Sequence, residues 1–116
     1  MLLRRNSLQN NKIYTYVGFA RRAGKFKAGL NAIKTVKKGV ELLLLCHSAS
    51  PNAIKEAEKL SERFFCPLYK TKTFMIEDMM DKENCKLVAI LDYELAKAII
   101  SNAGEDLEEI SGGRNE

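Results

Sequence analysis

The stretch VELLLLC at residues 40–46 constrains the fold more than any other part of the chain. Its apolar residues are too continuous for an amphipathic element, and the stretch is too short for a buried helix. A run of this kind is typical of a central strand that is covered on both faces. The chain of 116 residues is long enough for one such core and too short for two ordinary domains.

Helical and strand patterns alternate along the rest of the chain. Apolar spacing predicts helices over 11–24, 30–38, 50–65, a short stretch around 74–80, and a last helix that follows Asp92. Short apolar or alternating runs predict further strands over 25–29, 66–70 and 86–91. Pro67 favours an edge strand or the first position of its strand. This alternation predicts an α/β fold, with a sheet of about four strands and helices on both faces. We expect one domain over 1–104 and a polar, flexible tail over 105–116.

Positive charge is concentrated at the start of the chain. The first 40 residues contain ten basic residues and no acid, a charge of +10. The remainder has nine basic and fifteen acidic residues, a charge of −6. This segregation favours a polyanionic partner, because neutralising backbone phosphates releases condensed counterions. A lysine-rich face that is simply solvated explains the same pattern.

Three enzyme motifs were considered, and none fits. The phosphate loop fails because five residues separate Gly18 from Gly24, and Phe26 follows Lys25 where a hydroxyl should bind magnesium. His47 directly follows Cys46, and strand neighbours point to opposite faces, so they do not form a nucleophile and base pair unless the chain bends. Asp92 lacks the paired acids of a phosphoacceptor site, and capping the last helix explains it.

The cysteines and the start of the chain indicate a cytoplasmic protein. Cys46, Cys66 and Cys85 are odd in number, lie about 20 positions apart and form no C-x-x-C pair. This pattern predicts reduced core thiols rather than disulfides or a zinc site. The first residues, MLLRRN, lack the apolar segment of a secretion signal, and no apolar run is long enough to span a membrane.

Several segments together resemble the ribosomal L-seven-Ae family of kink-turn-binding proteins, and in particular its small bacterial YlxQ-type members. They are VGFARRAGKFKAG, the helix carrying Lys34, VELLLLC, SAS at 48–50 and LVAILDYELAKAI. The resemblance covers about residues 13–100. It implies a three-layer α-β-α sandwich with a mixed sheet, no catalysis and no cofactor. It also implies binding to structured RNA, typically a sharply bent helix with an internal loop, in association with the ribosome or translation.

In that family, the start of helix two contacts RNA through a glycine, any residue, an asparagine, a glutamate and a lysine three residues further. Gly29 and Asn31 match this pattern. Ala32 stands at the glutamate position and Thr35 at the lysine position, with Lys34 beside it. The acidic pair common after the second strand is His47 with Ser48 here. The leucine-glycine pair expected after the third strand is also absent.

The resemblance and the charge together imply a set of RNA-binding residues: Lys25, Lys27, Gly29, Asn31, Lys34, Lys38 and Lys72. We expect Gly29 to let RNA approach the backbone closely and Asn31 to contact an exposed base. A turn glycine and a solvated asparagine explain these two residues equally simply. Two other functions stay open. One is a protein-interaction module whose acids Glu77, Asp78, Asp81 and Glu83 meet a basic partner, and the other is a substrate-binding domain related to RNA-modifying enzymes.

Overall fold

The computed structural model describes residues 12–80 and 85–111. Within these residues the chain forms five helices: α1 (Lys12–Arg22), α2 (Leu30–Lys34), α3 (Pro51–Phe64), α4 (Ile76–Met80) and α5 (Tyr93–Ser101). It also forms five strands: β1 (Phe26–Ala28), β2 (Leu42–Leu45), β3 (Leu68–Thr71), β4 (Leu87–Ile90) and β5 (Leu107–Ser111). No described helix has the length and apolar character needed to cross a membrane.

The five strands form one open sheet in the order β1-β4-β2-β3-β5. Strands β2 and β3 are parallel, whereas β4 is antiparallel to both β1 and β2, and β5 is antiparallel to β3. Strands β1, β2 and β3 therefore run in one direction and β4 and β5 in the other. This confirms the α/β fold with a mixed sheet, which has five strands rather than about four.

Strand β2 lies in the middle of the sheet and explains the two helical layers. Its four leucines are all fully buried. Leu42 and Leu44 pack with buried residues of α1 and α5, whereas Leu43 and Leu45 pack with those of α2 and α3. Successive residues of a strand point to opposite faces, so both faces of an all-leucine strand need a cover. The predicted three-layer sandwich is therefore confirmed.

The helices that follow strands β2 and β4 each begin at a side-chain cap, as the sequence predicted for Asp92. Ser50 Oγ accepts a hydrogen bond from the Ala53 amide at 3.1 Å, and Pro51 occupies the first turn of α3. Asp92 Oδ1 accepts from the Leu95 amide at 2.9 Å at the start of α5. Each cap satisfies an amide that has no partner within its helix and contributes about 1 kcal/mol to stability.

The prediction of a polar tail over 105–116 is wrong for Leu107–Ser111, which forms the edge strand β5. Residues 112–116 lie outside the described residues. Leu107 is buried, and Lys70 Nζ of β3 lies 4.0 Å from Glu108 Oε1 of β5. Because β5 covers the outer side of β3, Pro67 does not mark an edge strand. It directly precedes β3, the other position that favours proline.

Helix α2 is shorter than the predicted 30–38, since it ends at Lys34. The Thr35 hydroxyl donates to the Ala32 carbonyl at 2.7 Å and closes the last turn. Arg63 Nη2, from α3, donates to the carbonyls of Val36 at 2.6 Å and Lys34 at 3.3 Å. These bonds satisfy two backbone carbonyls that a longer helix would have satisfied itself, so Lys34 and Val36 keep a hydrogen-bond partner where the helix ends.

Candidate nucleic-acid interface

One end of the sheet contains the segments that follow β1, β2 and β3, and we call it the Gly29 end. The Gly29 amide donates to the Leu87 carbonyl at the start of β4, at 2.8 Å. The Lys72 amide likewise donates to the Asp106 carbonyl, just before β5, at 2.8 Å. The first turns of α2 and α3 also lie at this end, because both helices begin directly after strands that finish there.

The opposite end contains the segments that precede β1, β2 and β3 and follow β4, and we call it the Phe65 end. The Leu91 amide donates to the Lys25 carbonyl at 2.9 Å, which joins the end of β4 to the start of β1. The Leu43 amide donates to the Pro67 carbonyl at 3.0 Å, which joins the starts of β2 and β3. Phe65 lies in the connection from α3 to β3.

The seven predicted RNA-binding residues do not form one cluster. Gly29, Asn31 and Lys72 lie at the Gly29 end, Lys25 and Lys38 at the Phe65 end, and Lys27 and Lys34 between the ends, in β1 and at the end of α2. The six side chains other than Gly29 are all exposed. The predicted helix over 30–38 would have placed Asn31, Lys34 and Lys38 on one face, but α2 ends before Lys38, so the three do not share a helix face.

Gly29 forms the turn between β1 and α2. Its φ of 95° and ψ of 142° are backbone angles that residues with a side chain rarely adopt. Its amide is held by Leu87, and its carbonyl accepts from the Ile33 amide at 3.1 Å to begin the helix. No side chain caps α2. The turn fixes Asn31 at the second position of the helix with its side chain in solvent.

A cavity of about 200 Å³ opens beside this turn and is lined by Gly29, Leu30, Ala53, Lys86 and Leu87. Lys86 was not among the predicted residues. Its Nζ donates to Ser48 Oγ at 2.9 Å and to Glu77 Oε1 at 3.2 Å. The lysine therefore fixes the segment after β2 against α4, and its charge is largely balanced by Glu77.

His47 and Ser48, which stand where the L-seven-Ae family commonly has an acidic pair, lie in a turn after β2. The His47 amide donates to the hydroxyl of Thr71, a buried residue of β3, at 3.0 Å. The Cys46 Sγ lies 3.2 Å from Ser48 Oγ and faces the core, while the His47 side chain is exposed. Cys46 is buried and the His47 side chain is exposed, but both residues lie beyond the end of β2, so the strand on which the prediction rested does not extend to them.

Lys34 forms an ion pair across the helical layer. Its Nζ lies 3.3 Å from Glu56 Oε1 of α3, and the two side chains are partly exposed. An exposed pair of this kind contributes little to stability, but it reduces the charge that Lys34 presents to a partner. Lys27 differs, because it lies on the edge strand β1 and no carboxylate of the described residues lies within 4 Å of it.

The two ends of the sheet carry opposite charge. At the Gly29 end, where the Tyr14 ring of α1 contacts Phe74, segments 12–15, 46–53, 72–78, 85–86 and 102–106 contain three basic and four acidic residues: Lys12, Lys72, Lys86, Glu77, Asp78, Glu105 and Asp106. At the Phe65 end, segments 19–25, 35–41, 62–67 and 91–97 contain seven basic residues: Arg21, Arg22, Lys25, Lys37, Lys38, Arg63 and Lys97. The same segments contain four acidic residues: Glu41, Glu62, Asp92 and Glu94. Excess positive charge therefore collects opposite the turn that the resemblance indicates.

The three cysteines are buried and form no disulfide, as predicted. Burial, reinforced by the nearby Glu41 carboxylate, raises the pKa of the Cys66 thiol to about 12. A thiol that stays protonated is a poor nucleophile and a poor metal ligand. Among the described residues, no three histidine, cysteine or acidic side chains come together in a way that could hold a metal ion.

No protein-family model matches the chain, and no curated protein matches it either. Among solved structures, the chain is similar to a protein of unknown function from Bacillus halodurans, with a TM-score of 0.64 and 16% sequence identity. The likeness covers 79% of this chain and 96% of that one. At such low identity it concerns the fold alone.

Proposed function

We propose that the protein binds structured RNA of the sharply bent, kink-turn-like kind, without catalysing a reaction on it. One observation carries this proposal. Of the eight described basic residues among the first 40, only Lys34 has a carboxylate of the described residues within 4 Å. Of the seven described basic residues of the later chain, three are paired in this way: Lys59, Lys70 and Lys86. Unpaired surface cations are available to replace the counterions of an RNA backbone.

The proposal assigns different contacts to different residues. Lys27, on the exposed edge strand, and Lys25 contact phosphates and contribute affinity that does not depend on sequence. Asn31 contacts an exposed base, since its amide can both donate and accept beside the Gly29 turn. Lys34, Lys38 and Lys72 add further phosphate contacts. The RNA belongs to the ribosome or the translation machinery, in the cytoplasm, and the protein uses no cofactor or membrane.

The alternatives have less support in the structure. Of the acids proposed to meet a basic protein partner, Glu77 is already paired with Lys86, and Asp78 is exposed. Asp81 and Glu83 lie outside the described residues. The cavity beside Gly29, at about 200 Å³, is smaller than the roughly 300–1,000 Å³ typical of small-molecule sites.

The salt dependence of binding tests the proposal most directly. Titration of a kink-turn RNA and of a straight duplex at several salt concentrations should give a steep loss of affinity with salt for both, and tighter binding to the kink-turn. Affinity that does not change with salt would exclude phosphate contacts. Equal affinity for the two RNAs would leave general RNA binding and remove the preference for bent RNA.

The contribution of Asn31 can be separated with a matched variant. Asn31→Ala should cost about 1 to 3 kcal/mol on the kink-turn RNA and much less on the duplex, the usual cost of losing a base contact. Asn52 is the control, because it is also exposed and also the second residue of a helix at the Gly29 end. If Asn52→Ala weakens binding as much as Asn31→Ala, Asn31 has no special contact.

A further inference from the structure

The large apolar side chains that the described residues leave exposed all lie at the Phe65 end. Phe65 is 76% exposed, Tyr93 is 59% exposed and Phe19 is 44% exposed. Phe19 lies in the last turns of α1, before β1; Tyr93 begins α5, just after β4; and Phe65 follows α3, before β3. Scattered single exposed aromatics are ordinary, whereas three at the same sheet end of a small domain need an explanation.

Each exposed ring has a cation close by in the chain. The guanidinium of Arg22 lies 5.2 Å from the centre of the Phe19 ring, and Lys97 Nζ lies 5.5 Å from that of Tyr93. Near Phe65, the guanidinium of Arg63 lies 4.7 Å from the centre of the Phe64 ring. We call Phe19, Tyr93 and Phe65 with Arg22, Lys97 and Arg63 the aromatic-basic surface.

The sheet order determines how these side chains are spread. Their segments adjoin β1, β4 and β3, and in the sheet order β1-β4-β2-β3 these strands lie within four consecutive positions. Neighbouring strands are about 4.8 Å apart, so β1 and β3 are separated by roughly 14 Å. Strand β2, which lies between β4 and β3 in the sheet, is preceded by the exposed Lys37 and Lys38. Phe19 and Tyr93 lie on the side of the sheet that α1 and α5 cover, and Phe65 lies on the side that α3 covers. A ligand that contacts all three rings therefore crosses the sheet end.

Phe65 is unfavourable for the fold in two respects. It is the non-glycine residue of the described chain with a positive φ, at φ 54° and ψ 47° in the left-handed region. This position ends α3, where glycine or asparagine is strongly preferred and a bulky residue is a rare exception. Its ring is also the most exposed of the three. Neither packing nor backbone geometry explains a phenylalanine here, whereas contact with an external partner does.

We propose that the aromatic-basic surface binds a single-stranded stretch of RNA, whose unpaired bases stack on Phe19, Tyr93 and Phe65 while the cations contact its phosphates. The proposal rests on the proposed RNA-binding function and adds a second surface, at the sheet end opposite Gly29 and Asn31. Proteins that bind single strands without sequence preference combine these two elements, a positively charged path and rings on which any base can stack. The excess of positive charge at this end complements a nucleic-acid backbone.

The test uses the full chain and a labelled oligouridylate of about 12 nucleotides, a length within the usual range for single-strand sites. Phe65→Asn removes the ring and places a residue that tolerates the left-handed region. It should fold at least as stably as the wild-type protein in thermal unfolding, and its affinity for oligouridylate should fall about tenfold or more. Tyr93→Ala should have a similar effect on affinity. Phe65→Tyr keeps a ring and should bind as the wild-type protein does.

Asn52→Ala is the control for the opposite end, because Asn52 is exposed there and is assigned no RNA contact, and it should leave oligouridylate binding unchanged. The inference is overturned if the wild-type protein does not bind oligouridylate, or if Phe65→Asn and Tyr93→Ala bind it as the wild-type protein does. It is also overturned if these variants change only self-association in sedimentation, because the rings then serve a protein contact.

Kink-turn RNA is titrated against the same proteins, so that the two proposals can fail separately. Preference for the kink-turn, together with oligouridylate binding that ignores the rings, would retain the proposed function and reject this surface. Ring-dependent binding of oligouridylate without preference for the kink-turn over a straight duplex would retain this surface and reject the kink-turn function.

Discussion

Nζ of Lys34 lies 3.3 Å from Oε1 of Glu56, so a cation expected to contact RNA is paired with a carboxylate of the neighbouring helix. Glu56→Gln should therefore release Lys34 and strengthen RNA binding, while changing the free energy of unfolding by less than about 1 kcal/mol. Glu58→Gln, on the same helix and exposed, removes the same charge and is the control. Equal gains in affinity for the two variants in an RNA titration would show a general charge effect and no role for the pair.

The backbone of Gly29 leads to a prediction about stability. Gly29→Ala should destabilise the protein by about 1 to 3 kcal/mol, the usual cost of a side chain in a sparsely populated backbone region. The new methyl group would meet no atom within 4 Å, so the loss comes from the backbone angles alone.

The matched control for Gly29 is Gly18, which lies inside helix α1. A methyl group there would lie 3.7 Å from Arg22 Nη1, an ordinary contact. Gly18→Ala should stabilise the protein by about 0.5 to 1 kcal/mol, because alanine favours the helix. Urea denaturation measures both variants. A Gly29→Ala protein as stable as the wild type would show that the turn tolerates a side chain.

The environment of the Tyr14 hydroxyl leads to a prediction of how the free energy of unfolding changes at alkaline pH. The hydroxyl is buried and has no hydrogen-bond partner among the described residues. Burial, with a contribution from the Asp78 carboxylate, raises the pKa of Tyr14 from 10.0 to about 12. The contribution of Tyr14 to the free energy of unfolding is therefore fully present at pH values below its pKa in the unfolded chain. It is lost as the pH rises through its higher pKa in the folded protein, since the unfolded chain releases the proton first.

Tyr14→Phe removes both effects. At neutral pH it should stabilise the protein by about 1 kcal/mol, because an unpaired buried hydroxyl is removed. This advantage should widen between the two pKa values, where only the wild-type protein loses the contribution of Tyr14. Urea unfolding of both proteins at neutral and alkaline pH provides the comparison. A difference in unfolding free energy between the two proteins that stays constant with pH would contradict the raised pKa of Tyr14.

The elements that could be predicted from the sequence are those with strong local signals. Strand β2 was predicted because four consecutive leucines leave no polar face, and α3 and α5 because Ser50 and Asp92 are good caps. Strand β5 was missed because its exposed Glu108 and Glu109 resemble a solvated tail. What makes it a strand is its pairing with β3, including the Lys70 to Glu108 contact, and such long-range pairing is not visible locally.

Less of the candidate interface could be predicted, because basic residues that are close in the sequence need not lie close together on the folded surface. The first 40 residues contain ten basic residues, but the chain crosses the sheet between Lys25 and Asn31, so these two residues lie at opposite ends. The exposure of Phe65 could have been predicted from the sequence. In the stretch RFF, Phe64 continues the apolar stripe of α3, so the next residue must point away from that stripe.

The sheet order also has a consequence for synthesis of the chain. Within the described residues, strand β1 is hydrogen-bonded in the sheet to β4 alone, whereas β2 and β3 pair with each other. As the chain leaves the ribosome, β2, α3 and β3 can assemble first, but β1 has no partner until residues 87–90 emerge. The basic segment around β1 is therefore synthesised well before the strand that holds it, so in a nascent chain it is exposed to surrounding polyanions before it has a folded surface.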